Sequence, residues 1–372
     1  MRVDRLTFSG FRNLAAGEWI PGAGVNILYG DNAQGKTNLL EALWMFTGGR
    51  SFRGARDSEL KQFGAEKSCC RLEFTAQERQ QEAEIRIEKR RSASLNGIAQ
   101  PSAGRLAGVF CAIVFSPEHL TLIKGGPEGR RKFLDAAYCQ VRPGYITVLG
   151  EYMRTLQQRN ALLRDARQYR PDGDMLDLWD HQLAQAGARV HLARTTYIRR
   201  LREAVRDIYA GLSAGAEELD LSYRAENRTE EMTAVQAAEA LLEEIRSHRQ
   251  ADLAAGFTTA GPHRDDMEVS INGMAARAYG SQGQQRSAVL ALKMAEASIL
   301  RQVSGEQPVA LLDDVMSELD VSRQDYIFNH IHDWQVFITC CDPSAVQRVT
   351  GGRVFHVKHG VLTPETAGTQ GG

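Results

Sequence analysis

The segment that most constrains the fold is residues 25–41, which read VNILYGDNAQGKTNLLE. An apolar run ends at Gly30, a turn-prone loop follows, and Gly35-Lys36-Thr37 opens an amphipathic helix. This is the pattern G-x-x-x-x-G-K-[ST] in the strand-to-helix context that a phosphate-binding loop requires. The chain is therefore expected to contain a strand, a phosphate-binding loop and a helix as one unit of an α/β domain.

Each residue type in this loop has a physical reason to be there. Gly30 and Gly35 allow backbone angles and a close approach that a Cβ would block, so successive N–H groups can turn towards a phosphate. Lys36 is expected beside the β- and γ-phosphates of ATP, and the Thr37 hydroxyl is expected to bind Mg²⁺. A chance glycine-rich turn before a helix is the alternative. The predicted nucleotide-binding set in this segment is Gly30, Asp31, Asn32, Ala33, Gln34, Gly35, Lys36 and Thr37.

The composition describes an ordinary folded protein. The chain has 372 residues, a formal net charge of -1, 43% hydrophobic residues and 24% charged residues. This length suggests two or three domains, or one large domain with an insertion. A charge so close to neutral argues against a protein that coats nucleic acid, although it leaves room for a local basic face.

The cysteines and the N-terminus bear on the cellular compartment. No C-x-x-C pair occurs, so a zinc site is not expected and a reducing compartment is the natural interpretation. The first residues alternate like a strand and lack the apolar core of a signal peptide, and no stretch approaches the length of a membrane span. A cytoplasmic location is therefore predicted. The six cysteines are Cys69, Cys70, Cys111, Cys139, Cys340 and Cys341.

Secondary-structure patterns divide the chain into three parts. Residues 1–118 are rich in strand patterns, 119–256 have a helical period, and 257–372 return to strand patterns around one amphipathic helix. We predict an α/β head with a mixed sheet and helices, in which the first and third parts form one sheet system. A mainly helical second lobe is inserted between them.

Local patterns add detail to this division. The longest helices are predicted over residues 145–169 and 175–212, and a strand over 219–223. Asn96-Gly97 and Asn272-Gly273 predict tight hairpin turns. A last edge strand is predicted over residues 353–358, before a tail rich in Gly and Thr that is expected to be disordered.

A second candidate element of the site is the apolar strand Val309–Asp314, VALLDD, which ends in two acids. A phosphate-binding loop needs such a partner. Asp313 is expected to hold Mg²⁺ through its water shell, and Asp314 to orient or deprotonate the attacking water. An ordinary pair of acids at a strand end is the alternative.

A third element is the run Ser281-Gln282-Gly283-Gln284-Gln285 at the start of a helix. A hydroxyl, backbone N–H groups and a helix dipole would converge there on a second anion site. If this site faces outward, it can complete the nucleotide pocket of another copy, giving an ATP-dependent homodimer. A simple capped helix is the alternative.

Together these motifs resemble those of ABC-type ATPases, specifically their SMC/Rad-fifty-like DNA-repair branch. The loop, the run from Ser281, the LLDD strand end and the following Ser317–Asp320 segment are similar to the phosphate loop, signature, Walker B and D-loop of that family. The similarity extends to LTFSGFRNL, VFSPEHL and GPHRDD at residues 261–266, and so covers nearly the whole chain. A helical insertion without a long coiled coil is typical of the bacterial recombination mediators in this branch.

The resemblance implies a role for each matching residue. Arg12 and Asn13, on the turn between the first two strands, would lie near the nucleotide, although a solvated turn arginine is the alternative. The metal site would comprise Thr37 and Asp313, and the catalytic residues would be Lys36 and Asp314. The signature residues acting across a dimer would be Ser281, Gly283 and Gln285, and the D-loop residues would be Ser317 and Asp320.

The resemblance also implies a function. It is that of a weak ATPase coupled to DNA binding in recombinational repair and replication-fork maintenance, acting at single-strand/double-strand junctions or duplex DNA with RecR and RecO. Two features depart from the family pattern. No Q-loop glutamine occurs in residues 114–118, and Cys340-Cys341 stand where a switch histidine is common.

Two other functions fit the phosphate loop alone. A P-loop kinase of a small metabolite would need no Ser281 signature, so a substitution at Ser281 would leave its turnover intact. A nucleotide-locked scaffold would form ATP-dependent dimers and keep its function when Asp314 is replaced by Asn.

Overall fold

The computed structural model describes residues 1–165, 173–343 and 351–365. The end of the predicted helix 145–169 and the predicted disordered tail from residue 366 lie outside these ranges. None of the helices within them is both long and apolar enough to cross a membrane.

Strands in the described ranges have the following bounds: β1 (Arg2–Ser9), β2 (Gly17–Trp19), β3 (Val25–Tyr29), β4 (Ser68–Ala76), β5 (Arg79–Ile87), β6 (Arg91–Leu95), β7 (Ile98–Gln100), β8 (Ala112–Phe115), β9 (Leu219–Arg224), β10 (Asp266–Ile271), β11 (Met274–Ala275), β12 (Val309–Asp313), β13 (Val336–Cys340), β14 (Arg353–Lys358) and β15 (Val361–Pro364).

Helices in the same ranges are α1 (Lys36–Trp44), α2 (Asp57–Leu60), α3 (Pro117–Leu120), α4 (Pro127–Val141), α5 (Tyr145–Asp165), α6 (Gly173–Leu212), α7 (Ala234–Ser247), α8 (Arg249–Ala255), α9 (Ala276–Tyr279), α10 (Gln282–Ser304) and α11 (Val321–Ile331), with short 3-10 segments at Met45–Thr47, Ala103–Leu106 and Met316–Glu318.

The chain forms two compact units. The first comprises Met1–Thr121 and Val289–Gly372, and the second comprises Leu122–Ala288. The predicted lobe boundary at residue 256 differs from this division, because β10 follows that residue yet pairs with β9 in the same unit. The run from Ser281 therefore belongs to the second unit.

The first unit contains two sheets. The mixed sheet joins the first and third predicted parts, as expected, because β3 and β8 pair with strands of the third part. The remaining strands of the first part form a separate sheet, which the sequence analysis did not predict. One sheet is antiparallel, in the order β2-β1-β4-β5-β6-β7. The other is mixed, in the order β15-β14-β3-β13-β12-β8, and is parallel except for β15. Its strands β12 and β13 are mostly apolar and almost entirely buried, as parallel strands covered on both faces require.

The predicted hairpin turns are confirmed. Asn96 and Gly97, and likewise Asn272 and Gly273, have positive φ angles between antiparallel strands. The prediction of β14 as an edge strand is wrong, because it lies between β3 and β15. A turn at residues 359–360 reverses the chain after β14, so β15 takes the edge.

The second unit is mainly helical, with a small sheet in the order β11-β10-β9. Apolar side chains of α5, α6 and α7 form its core. The GPHRDD segment lies inside this unit and is held by polar contacts. Arg228 donates to Asp265 at 2.6 Å, Arg194 donates to the Pro262 carbonyl at 2.6 Å, and the Tyr152 hydroxyl lies 2.6 Å from Nδ1 of His263. This segment therefore stabilises the second unit.

Candidate nucleotide-binding site

The loop between β3 and α1 has the backbone that its glycines predict. Gly30 has a φ of 148°, and a Cβ there would overlap the carbonyl oxygen of Val357 on the neighbouring β14. Any other residue would therefore force the strand and the loop apart. The residue before α1, Gly35, also lies in the positive-φ region, at 115°.

The ammonium group of Lys36 closes this loop. The side chain is 4% exposed, and Nζ donates to the carbonyl oxygens of Gly30 at 2.6 Å and Asp31 at 3.1 Å. These partners are neutral dipoles and part of the loop itself. An anion in the loop would therefore gain a charge-assisted hydrogen bond from a cation that is already in place.

Two acids and two hydroxyl groups meet at the end of β12. Thr37 donates from Oγ1 to Asp313 Oδ1 at 2.7 Å, and Thr339 on β13 donates to the same oxygen at 2.9 Å. The Asp314 amide donates to Thr339 Oγ1 at 2.8 Å. The structure thus brings together the predicted residues Thr37, Asp313 and Asp314.

Asp313 has an unusual electrostatic environment. Its burial raises its pKa, and the negative charges of Asp314 and Glu118 raise it further, while hydrogen bonds from Thr37 and Thr339 act in the opposite direction. Crowded acids favour a nearby cation, because its charge offsets the cost of burying the carboxylate. A hydroxyl beside a carboxylate is also a donor set that suits Mg²⁺. These residues therefore fit a magnesium nucleotide, with Thr37 and Asp313 as the groups that would hold the ion.

Arg12 and Asn13 make different contacts. Asn13 donates to the carbonyl of Ala33 in the loop at 2.8 Å and accepts from Asn38 on α1 at 2.7 Å. Arg12 instead forms a bidentate pair with Glu41, a fully buried residue of α1, at 2.8 and 3.0 Å. The turn after β1 is therefore fixed to both the loop and its helix.

A second support for the loop was not foreseen from the sequence. In the turn between β14 and β15, the Gly360 amide donates to the Gln34 carbonyl at 2.9 Å, and the His359 amide donates to Gln34 Oε1 at 2.7 Å. The Gly360 carbonyl accepts from Ala15 at 3.0 Å. The glycine of the His359-Gly360 pair was the signal in the sequence, because glycine is favoured in tight hairpin turns. Both residues have the positive φ of such a turn.

The run from Ser281 forms a capped helix start in the second unit. Ser281 is exposed. Its amide donates to Gln284 Oε1 at 2.8 Å, and its Oγ accepts from the Gln284 amide at 3.2 Å. Gln285 donates to the carbonyls of Ala276 and Gly280 at 3.0 and 3.1 Å, so its amide group braces the preceding turn. Gly283 lies in the first turn of α10.

The D-loop residues lie just beyond β12. Ser317 donates to the Asp314 carbonyl at 2.9 Å, and Asp320 caps α11 by accepting from the Arg323 amide at 3.0 Å. Both side chains are exposed.

The two departures from the family pattern follow the carboxyl ends of two parallel strands of the mixed sheet, β8 and β13. Ser116 follows β8 and donates to Glu118 at 2.9 Å. Cys341 follows β13, with its sulfur 3.4 Å from Asn32 Oδ1 and 3.9 Å from Lys36 Nζ. Burial raises the pKa of the adjacent Cys340 to about 11, so that thiol stays protonated near neutral pH.

The fold and this site define a P-loop nucleotide-binding protein. The chain belongs to the family described as "RecF/RecN/SMC N terminal domain", which matches residues 2–363.

Within that family, the two relatives described next carry the name RecF. The "DNA replication and repair protein RecF" of Acetivibrio thermocellus is 35% identical over 96% of this chain and 100% of its own length. The protein of that name from Agathobacter rectalis is 38% identical over 97% of this chain and 98% of its own length.

Solved structures agree with this assignment. The structure described as "the recombination mediator protein RecF-ATPrS in RecFOR pathway" has a TM-score of 0.91 and 35% identity, with 98% of each chain covered. The SmcHead bound to the C-winged helix domain of ScpA has a TM-score of 0.54 and 15% identity, over 99% of this chain and 98% of that chain. The latter likeness concerns the fold alone.

Proposed function

We propose that this chain is a RecF-type ATPase of DNA replication and repair. The observation that carries the proposal is the Thr37–Asp313 contact of 2.7 Å beside the nearly buried Lys36. This contact brings the phosphate loop and the acid proposed to bind the metal together. It does so in a chain that is similar to a RecF protein over nearly its full length.

Residues of the first unit bind and orient ATP. The loop amides and Lys36 hold the phosphates, and Asn13 keeps the loop in its binding conformation. Thr37 and Asp313 would hold Mg²⁺, and the ion would supply positive charge beside the phosphates. Asp314 accepts a proton from the attacking water or orients it. Its shorter side chain, where most ABC ATPases carry a Glu, suits slow hydrolysis that acts as a timer.

A second copy of the chain would complete the site. Ser281 presents an exposed hydroxyl at the start of α10, and Gly283 lies in the first turn of that helix. The positive end of the helix dipole makes this a favourable place for the γ-phosphate of another copy. Because Gln285 is bonded to its own turn, we assign it the role of shaping this segment. Ser317, whose hydroxyl group contacts Asp314, and Asp320 are both exposed and would contact the partner as a D-loop.

The proposed output is DNA binding that depends on the nucleotide. ATP would favour a closed homodimer with higher affinity for single-strand/double-strand junctions or duplex DNA, and hydrolysis would reopen it. By similarity to the RecFOR pathway named for the solved relative, we propose RecR and RecO as partners in loading recombinase, in the cytoplasm.

Phosphate release and DNA affinity test this proposal in one experiment. The native chain should release phosphate from ATP and Mg²⁺ without any acceptor metabolite, and ATP should tighten its binding to a labelled gapped duplex in an anisotropy titration. Asp314→Asn should lower turnover by about 100-fold, as loss of a general base does, while retaining ATP and DNA binding. The matched control is Asp333→Asn, an exposed acid away from the site, which should behave as the native chain does.

Two results would overturn the proposal. If the native chain fails to bind ATP, the proposal is refuted. If the native chain needs an acceptor metabolite for turnover, the kinase function is supported instead. Unchanged turnover in Asp314→Asn would refute only the role of that residue.

A further inference from the structure

Thr339 is a buried polar residue between the two acids of the site. It lies on β13 directly opposite Asp313 of β12 and is 1% exposed. Its hydroxyl group donates to Asp313 Oδ1 at 2.9 Å and accepts from the Asp314 amide at 2.8 Å. One side chain therefore contacts both acids.

Hydrogen bonds from Thr339 and Thr37 fix the carboxylate of Asp313. A threonine hydroxyl has one proton, and spending it on Oδ1 leaves its lone pairs free to accept from Asp314. Thr37 donates to the same Oδ1 at 2.7 Å. With both hydroxyl groups on one oxygen, the carboxylate of Asp313 is held in a single orientation, and neither hydroxyl group occupies Oδ2.

The same hydroxyl holds the backbone of Asp314. This residue has a φ of 50°, a left-handed conformation that residues other than glycine seldom adopt. The hydrogen bond from its amide to Thr339 stabilises that conformation directly after the last residue of β12, Asp313. A change in this bond would move Asp314 without touching its carboxylate.

We propose that Thr339 is a positioning residue that separates the tasks of the two acids, keeping Asp313 for the metal ion and Asp314 for the attacking water. The assignment rests on the proposed ATPase function and adds a residue to it. Thr339 acts through its neighbours, since its single proton is committed to Asp313.

The test compares Thr339→Val, which keeps the shape and loses the hydroxyl, with Thr339→Ser, which keeps the hydroxyl. The first readout is the kcat and KM for ATP. The second is the Mg²⁺ concentration at half-maximal binding of a fluorescent ATP analogue, measured without turnover. Thermal unfolding reports on stability. The matched control is Thr195→Val, which removes another buried hydroxyl, bonded to the Leu192 carbonyl in the second unit.

We expect Thr339→Val to lower kcat by about tenfold or more and to raise the half-saturating Mg²⁺ concentration several-fold, the size typical of groups that orient metal ligands. KM for ATP at saturating Mg²⁺ should change little. Thr339→Ser should restore both quantities, and Thr195→Val should alter neither. If the valine variant is recovered unfolded, Thr339→Ala takes its place, because it removes the hydroxyl without adding volume.

Three results would overturn the assignment. One is native-like kcat and Mg²⁺ dependence in the folded valine or alanine variant. Another is equal loss of activity in Thr195→Val, which would indicate general destabilisation, and the third is failure of Thr339→Ser to restore turnover. A native chain that neither binds nor hydrolyses ATP would instead remove the proposed function, and this assignment with it.

Discussion

Replacing Arg12 by alanine should destabilise α1 by leaving a buried carboxylate without its cation. Glu41 is fully buried, and Arg12 supplies two of its hydrogen bonds, at 2.8 and 3.0 Å. Among the residues that the structure describes, the Ser51 hydroxyl is its other hydrogen-bond partner. Once the guanidinium is removed, that single hydroxyl has to compensate for the desolvation of a full negative charge.

The magnitude follows from the burial of each partner. Removing one member of a buried ion pair costs about 3–5 kcal/mol. The Arg12 side chain is 19% exposed, so water can enter part of the vacated space, and the Ser51 bond survives. We therefore expect about 3 kcal/mol, at the lower end of that range. Glu41→Gln should cost about 1 kcal/mol, because it leaves a neutral amide beside a partly hydrated arginine.

These costs should not add. The double variant Arg12→Ala with Glu41→Gln buries no charge, so it should be more stable than Arg12→Ala alone. Two units complicate a global unfolding curve, and hydrogen exchange of the α1 amides measures the local opening free energy instead. The control is Arg2→Ala, which breaks the half-exposed pair with Asp4 and should cost less than about 1 kcal/mol. Equal costs for Arg12→Ala and Arg2→Ala, or a double variant less stable than Arg12→Ala, would refute the reasoning.

Two further predictions concern pH and the support of the loop. Burial lowers the pKa of His263 to about 4, so its contribution to stability is complete above its ordinary value of 6.5 and is lost as the pH falls towards 4. The loss is about 1.4 kcal/mol per pH unit, and thermal midpoints at pH 7 and 5.5 should differ less in His263→Gln; equal differences would contradict this. Gly360→Ala should weaken binding of a fluorescent ATP analogue, because its Cβ would overlap the Asn13 carbonyl. Gly273→Ala has a similar φ with open space around it, and an equal effect there would indicate backbone strain alone.

Much of the fold follows from local sequence patterns. The continuous apolar runs of β3, β12 and β13 indicate buried parallel strands, and Asn-Gly pairs mark two hairpins because few other residues adopt their positive φ angles. The partition into sheets could not be predicted in this way. Strand pairing is non-local, and nothing near residue 266 indicates that β10 pairs with β9.

The residues of the site likewise fall into those that a local pattern predicts and those that depend on non-local contacts. Gly30, Lys36 and Thr37 follow from one continuous motif, and Asp313 from an acid at the end of an apolar strand. Thr339 was part of a recognised strand, but its role depends on the β12–β13 register, which no local pattern encodes. The pairing of Arg12 with Glu41 likewise requires two distant segments to meet. The one indication of this pair in the sequence was an acidic residue, Glu41, within the apolar pattern of α1.

The most direct test of the central claim is the mass of the chain in solution, measured by light scattering with and without ATP and Mg²⁺. The native chain should change from monomer to dimer with ATP. Ser281→Arg should remain monomeric while still binding a fluorescent ATP analogue, because its phosphate loop is intact, and Ser58→Arg, at an exposed position in the first unit, should dimerise as the native chain does. A native chain that hydrolyses ATP while remaining monomeric, or a Ser281→Arg variant that dimerises normally, would contradict a site completed by a second copy.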